Sequence, residues 1–265
     1  MFKSMSNLEQ HLYFHLGEKE QRVFTHNDII NILNISPQHA RKLAANMVKK
    51  NVIERVKPGL FVRIPESVIL DKKLYQEDAI LIAAKSFSNS FFSHYTALSI
   101  HGLAERYSTQ IYVTTSQHRR DMVYHDMCVK FITVLSKRFF GFKSIEYLNE
   151  RITISDQERT ILDVVNRPQY AGGWSEIISC LQNLDRVDWN VLFSYIKRYG
   201  NKTLARRIGY IMGNLKNASI PQKTKKDIKI YSGNNIYYFD STRKGTLEQE
   251  WNLIVPKEMQ EVLYA

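Results

Sequence analysis

Residues 36–65 read SPQHARKLAANMVKKNVIERVKPGLFVRIP, and this stretch decides the fold expectation. Ser36 followed by Pro37 is a helix start, with Ser36 as N-cap and proline at the first helical position. The spacing predicts a helix to about Lys50, with Asn51 suited to its C-terminal end. Ala40, Leu43, Ala44 and Met47 fall on one face. Gln38, Arg41, Lys42, Ala45, Asn46 and Lys49 are left on the other. Such a helix is a rod of roughly 21 Å. VIERV (52–56) and LFVRI (60–64) alternate around Lys57-Pro58-Gly59, which predicts a β-hairpin.

Working outward toward the N-terminus, Thr25 with Asp28 three residues on predicts a short helix over about 27–33, broken at Asn34-Ile35. Leu8, Leu12, Tyr13 and Leu16 mark a first helix over 7–16. Helix, short helix, turn, helix and hairpin is the order of a winged helix-turn-helix. Residues 36–64 hold seven Lys or Arg against one acid, Glu54. The expectation is therefore double-stranded DNA binding by residues 1–66. Gln38, Arg41, Lys42 and Asn46 are the candidates for base edges. Ser36, at the helix start, joins the candidate DNA-binding set; Lys49, Lys50, Arg55 and Lys57 are the candidate phosphate contacts. His39 could serve either purpose or pack in a partial core.

Charge supports a segregated rather than a uniformly solvated surface. The 265 residues carry 37 Lys and Arg against 26 Asp and Glu, a net +11, and a pI near 9.5. Residues 1–66 hold +4, residues 197–229 hold +9, and the rest −2. A basic chain points to an anionic partner, nucleic acid first. The second basic region, Lys197, Arg198, Lys202, Arg206, Arg207, Lys223, Lys225, Lys226 and Lys229, is a candidate second DNA contact or a docking surface. A solvated face is the alternative. Two cysteines, Cys128 and Cys180, without a CxxC pair argue against a thiolate zinc site, and both are expected to be buried thiols. The N-terminus lacks the apolar core of a signal peptide, and no stretch is apolar enough to span a membrane. A cytoplasmic protein without cofactor or metal is expected.

Past Pro65 the pattern predicts a linker over 67–75 and a C-terminal domain over 76–265. Strands are expected at 110–115, 127–134, 143–148 and 151–154, with helices at 77–86 and 93–101. The 155–215 region reads as about four helices, the first capped by Ser155-Asp156. IKIY (228–231), NIYYFD (235–240) and WNLIV (251–255) read as short strands returning to the sheet from a basic tail, 216–265. Overall this is an α+β chain: a winged helix followed by a mixed α/β domain with a helical subdomain.

Four phrases carry a resemblance. FFSHYTALSIHGLAERYSTQIYVTT (91–115), ITISDQERTILDVVNRPQYAGGW (152–174), LARRIGYIMGNL (204–215) and the closing YYFD with EWNLIVP stand in this order. Together they resemble the AbiEi family of antitoxins, over about residues 24–256. The family commonly closes on an Asp-Pro turn, where here Asp240 is followed by Ser241. The resemblance implies an antitoxin and transcriptional regulator of a type IV toxin–antitoxin pair. Its winged helix would bind inverted repeats in its own promoter and repress the operon. Its C-terminal domain would counteract a nucleotidyltransferase-like toxin without a stable complex. No heptad pattern marks a dimer seam, which leaves the oligomeric state open and is compatible with one monomer on each half-site.

Other chemistries are weaker. Ser93-His94, with His101, could form a nucleophile pair, but no elbow or acid accompanies it. Asp156, Glu158 and Asp163 could hold a nuclease metal, yet they suit a helix start. Catalysis is therefore not expected. The alternatives kept are a winged-helix regulator without a toxin partner, whose C-terminal domain senses a ligand or dimerises, and a nuclease-like enzyme with a DNA-recognition domain.

Overall fold

The computed structural model describes residues 5–71, 75–106 and 108–264. The chain is a mixed α+β protein that falls into two compact units. The first holds the described residues up to Ser88 together with Val123–Met127 and Ile145–Ile152. The second holds the rest.

The first unit runs α1 (Asn7–Glu18), β1 (Val23–Thr25), α2 (His26–Leu33), α3 (Pro37–Lys49), β2 (Ile53–Lys57) and β3 (Leu60–Arg63). Each helix starts where a side chain relieves its unpaired amides. Ser6 and Glu9 close a capping box on α1, and Thr25 and Asp28 close one on α2. Ser36 accepts from the His39 amide at 3.3 Å at the head of α3. Asn34 ends α2 in the left-handed region, at φ 49°. Ala40, Leu43, Ala44 and Met47 are buried, as their spacing predicts. They pack with Leu12, Tyr13, Leu16, Phe24, Ile29 and Phe61. Leu8 departs from its expected face and is exposed. The hairpin gains a third strand the sequence pattern did not mark, in the order β1-β3-β2, with Phe24 opposite Phe61.

The linker expected over 67–75 is corrected. Glu66–Asp71 is a helical turn, α4, and residues 72–74 lie outside the described residues. The first unit also extends past the expected boundary at 66, because α5 (Ala79–Ser86) packs against β1. Asp78 caps α5, accepting from the Ile80 and Leu81 amides at 2.8 and 3.1 Å.

The remaining strands are β4 (Ser90–Phe92), β5 (Gln110–Thr115), β6 (Met122–Tyr124), β7 (Met127–Thr133), β8 (Phe142–Tyr147) and β9 (Glu150–Ser155). They form one sheet in the order β6-β7-β5-β4-β9-β8. β5 runs parallel to β7 and antiparallel to β4. The short helix α6 (His94–Ile100) packs on β5. The helical region contains the four expected helices, α7 (Gln157–Asn166), α8 (Trp174–Gln182), α9 (Trp189–Tyr199) and α10 (Lys202–Asn214).

Two tail expectations are corrected. IKIY is not a strand but part of α11 (Gln222–Ser232). Thr224, Ile228 and Ser232 recur every fourth residue on the buried side, while Ile230 points outward at 68% exposure. The last strands do not return to the large sheet. β10 (Tyr237–Tyr238), β11 (Thr246–Glu248) and β12 (Leu253–Val255) form their own sheet, in the order β10-β12-β11, followed by α12 (Lys257–Tyr264). Trp251 is fully buried against α10 where Gly209 leaves room, and a Cβ at 209 would sit inside the indole. Among the described residues no helix is long and apolar enough to cross a membrane.

His94 opens α6 at φ 52°, in the left-handed region, and is 2% exposed. Thr114 Oγ1 donates to Ser93 Oγ at 2.8 Å, and Ser93 Oγ is within hydrogen-bond distance of His94 Nδ1, at 2.9 Å. Burial, ahead of the neighbouring charges, pushes the His94 pKa down to about 4. The folded protein therefore refuses a proton that the unfolded chain takes up near pH 6.5. Stability is expected to fall between about pH 6.5 and 4, by up to roughly 3 kcal/mol from this group. His94→Asn tolerates the left-handed backbone and should flatten that slope. Urea midpoints at pH 7 and pH 4.5 check it; equal pH dependence in the two proteins would refute it.

Candidate functional site

The candidate nucleic-acid surface is the outward side of α3. Ser36, Gln38, His39, Arg41, Lys42, Asn46 and Lys49 are all exposed. None of Arg41, Lys42 and Lys49 has a carboxylate partner among the described residues. A groove of about 480 Å³ separates this side from the start of α1, with Ser6 and Leu8 on one wall and Gln38, Lys42 and Asn46 on the other.

The hairpin brings one more cation to the same neighbourhood. Arg55 is exposed on β2, with its guanidinium 5.8 Å from the Phe61 ring. His26 packs edge-on to the same ring, at 5.0 Å. Its pKa is lowered, first by burial and then by the charges of Arg41 and Arg55. One helix cation and one strand cation thus share a field around His26. The sequence pattern gave His26 no role, because its neighbours come from segments 15 and 29 positions away.

Two candidate phosphate contacts, Lys50 and Lys57, already have partners within the unit. Lys50 Nζ binds Glu9 Oε2 at 2.6 Å, and Glu9 is buried. Burial alone would raise the Glu9 pKa, but Lys50 and Ser6 outweigh it and hold the carboxyl below its usual range. Lys57 Nζ donates to the Ser86 carbonyl at 2.9 Å and lies 4.3 Å from the Phe87 ring. Both ammonium groups are half-buried and engaged with partners of the same unit. Sequence spacing could not show this, because Glu9 is 41 residues from Lys50.

The second basic region is also divided. Arg206 is only 2% exposed and donates to the carbonyls of Lys229 and Gly233. Arg207 is half-buried beside Phe239, and burial lowers its pKa. Arg206 belongs to the buried side of α10 rather than to a basic face, and Arg207 sits at the edge of that side. Lys225 and Lys229 both bind Glu250, at 3.3 and 3.5 Å. Arg198 is exposed but lies over the Phe140 ring at 4.2 Å. Lys197, Lys202, Lys223 and Lys226 are exposed.

The residues weighed for catalysis are occupied structurally. Ser93 and His94 touch but are sealed from solvent. His101 Nε2 contacts the Ser155 carbonyl at 2.9 Å. Asp156 caps α7 and accepts from Tyr195 Oη at 2.7 Å. Glu158 accepts from the Asp188 amide, and Asp163 is paired with Arg159. Among the described residues no group of three or more His, Cys, Asp or Glu is placed to hold a metal. Cys180 is buried, and burial ahead of Glu176 pushes its thiol up to about 12; Cys128, expected to be buried too, is half-buried near the start of its strand.

No protein-family model matches the chain, and no curated protein matches it. Among solved structures, the chain is similar to the RV2827C protein from Mycobacterium tuberculosis. The TM-score is 0.66 at 13% identity, over 98% of this chain and 94% of that one. At this identity the likeness concerns the fold, and it extends through both units.

The Lys50–Glu9 pair yields a prediction. Lys50→Met should leave a buried carboxylate without its cation and lower stability by about 1–3 kcal/mol. Glu9→Gln in the same background should recover part of the loss. Thermal unfolding of the three variants checks this, and an unchanged single variant would refute it.

Proposed function

We propose that the chain is a DNA-binding transcriptional regulator whose first unit acts as a winged helix. The observation that carries this reading is the outward side of α3. It presents Gln38, Arg41, Lys42, Asn46 and Lys49 without an acidic residue among them, beside a hairpin carrying Arg55. The element order α1-β1-α2-α3-β2-β3 supports the winged-helix reading, which calls for three helices followed by a hairpin. In that arrangement α3 enters the major groove, its amide and guanidinium groups read purine edges, and Lys49 and Arg55 contact phosphates.

The AbiEi resemblance extends the proposal. The second unit would counteract a nucleotidyltransferase-like toxin, and the first would repress the shared operon at inverted repeats. Four ordered phrases support this part. Because Val123–Met127 and Ile145–Ile152 belong to the first compact unit, a cut near residue 70 would divide that unit. The two activities are therefore best separated by point substitutions in the full chain.

Arg41→Ala should cost about 1–3 kcal/mol on the chain's own promoter fragment and relax sequence preference. Lys49→Ala should weaken binding to all sequences alike and take about one from the salt slope. Fluorescence anisotropy across a salt series reads both. Unchanged affinity in Arg41→Ala would take α3 out of the interface. For the antitoxin part, the full chain carrying Arg41→Ala should still restore growth when co-expressed with a neighbouring nucleotidyltransferase gene. Failure of the wild-type chain to do so would leave a regulator without a toxin partner.

A further inference from the structure

At the carboxyl ends of the parallel strands β5 and β7 lies a cavity of about 330 Å³. Crevices at such strand ends are where open α/β sheets hold ligands. The wall carries hydroxyls from Ser116, Thr133 and Ser136, two guanidinium groups from Arg138 and Arg167, and the Tyr199 ring.

Arg138 is held by its neighbours. Arg138 lies over the Tyr199 ring at 4.2 Å and donates from Nε to the Tyr199 carbonyl at 3.1 Å. That contact fixes the plane of the group while its Nη atoms have no partner among the described residues. Arg167 sits at the end of α7, where its amide donates to the Asp163 carbonyl at 3.0 Å, and its guanidinium is 5.9 Å from the Tyr170 ring. Neither arginine has a carboxylate partner among the described residues. Asp163, the acid nearest in sequence to Arg167, is already paired with buried Arg159 at 2.9 Å. Tyr199 feels Asp163 against the three charges of Arg138, Arg159 and Arg167, so the local balance is positive.

We propose that this cavity binds the phosphate group of a small phosphomonoester of mononucleotide size. Two guanidinium groups without a carboxylate partner among the described residues match the charge of a dianionic phosphate, and their planar forks match its oxygens. The three hydroxyls supply further donors. The volume lies near the lower end of the range for small-molecule sites, which leaves room beyond the phosphate itself. At the rim, Leu135 is 62% exposed and offers an apolar surface to the rest of such a molecule. Nothing in this inference depends on α3 or on DNA binding.

The test is calorimetric titration of the full-length chain with 5′-AMP, adenosine and inorganic phosphate. AMP should bind with Kd below about 1 mM, phosphate should compete with it, and adenosine should not bind measurably. Arg167→Gln should weaken AMP by about tenfold or more while leaving the melting temperature of the unliganded protein unchanged. Arg138→Lys keeps the charge but loses the planar fork, and should weaken AMP without abolishing it. Absence of AMP binding, adenosine binding as tightly as AMP, or unchanged affinity in Arg167→Gln would each overturn the proposal.

Discussion

The second unit depends on one buried cation. Arg159 has no exposed surface, and an unpaired guanidinium there would be too costly to keep. The surroundings are built to hold it. Asp163, one turn along α7, accepts from Nε at 2.9 Å. The carbonyls of Arg138 and Phe140 accept from Nη1 at 2.7 and 3.0 Å. Phe140, Phe91 and Tyr199 surround the guanidinium carbon at 4.6, 5.6 and 5.8 Å. One side chain thereby ties α7 to the loop after β7, to β4 and to α9. Gly141 is part of the same constraint: its φ is 73°, and a Cβ there would meet Arg159 and Tyr195. The loop that Arg159 fixes is the one that carries Arg138 to the cavity.

The first unit solves a smaller version of the same problem. Glu9 serves the α1 capping box and is buried, so its charge needs a partner. Lys50 supplies it from the end of α3. The residue that ends α3 thus anchors α1, and the outward side of α3 is presented from a fixed base. Arg63 adds to this by donating to the Tyr13 carbonyl at 3.1 Å and lying 4.2 Å from its ring.

What could be read from the sequence follows from how local the physics is. The caps at Ser6, Thr25, Ser36 and Asp156 act over three residues, and Thr25, Ser36 and Asp156 were legible from spacing alone. The buried face of α3 was legible for the same reason. The strands β1 and β4 were not: each has three residues, too few for a period, and each exists because a longer partner strand pairs with it. The α11 segment was misread because Ile228 and Ile230 alternate like a strand over four residues, while the buried set extends to Thr224 and Ser232. The candidate site divides along the same line. Exposure of Gln38, Arg41, Lys42 and Asn46 follows from helical periodicity. The engagement of Lys50, Lys57 and Arg206 follows from contacts at sequence separations of 41, 29 and 27.

That division changes what a net charge of +11 means. Formal charge counts Arg159, Arg206, Lys50 and Lys57 equally with Arg41, although the structure spends the first four on carboxylates, carbonyls and rings. A counterion-release argument applies only to cations that can reach a phosphate. Residues 197–229 carry the larger formal excess but lose part of it to internal partners, since Arg206 packs inside, Arg207 is half-buried beside Phe239, and Lys225 and Lys229 share Glu250. Residues 36–55 carry fewer charges, yet Arg41, Lys42, Lys49 and Arg55 all remain exposed. Exposed cations therefore remain in both segments, Arg41, Lys42, Lys49 and Arg55 in the first and Lys197, Arg198, Lys202, Lys223 and Lys226 in the second, and a counterion-release argument rests on these positions and not on the formal excess.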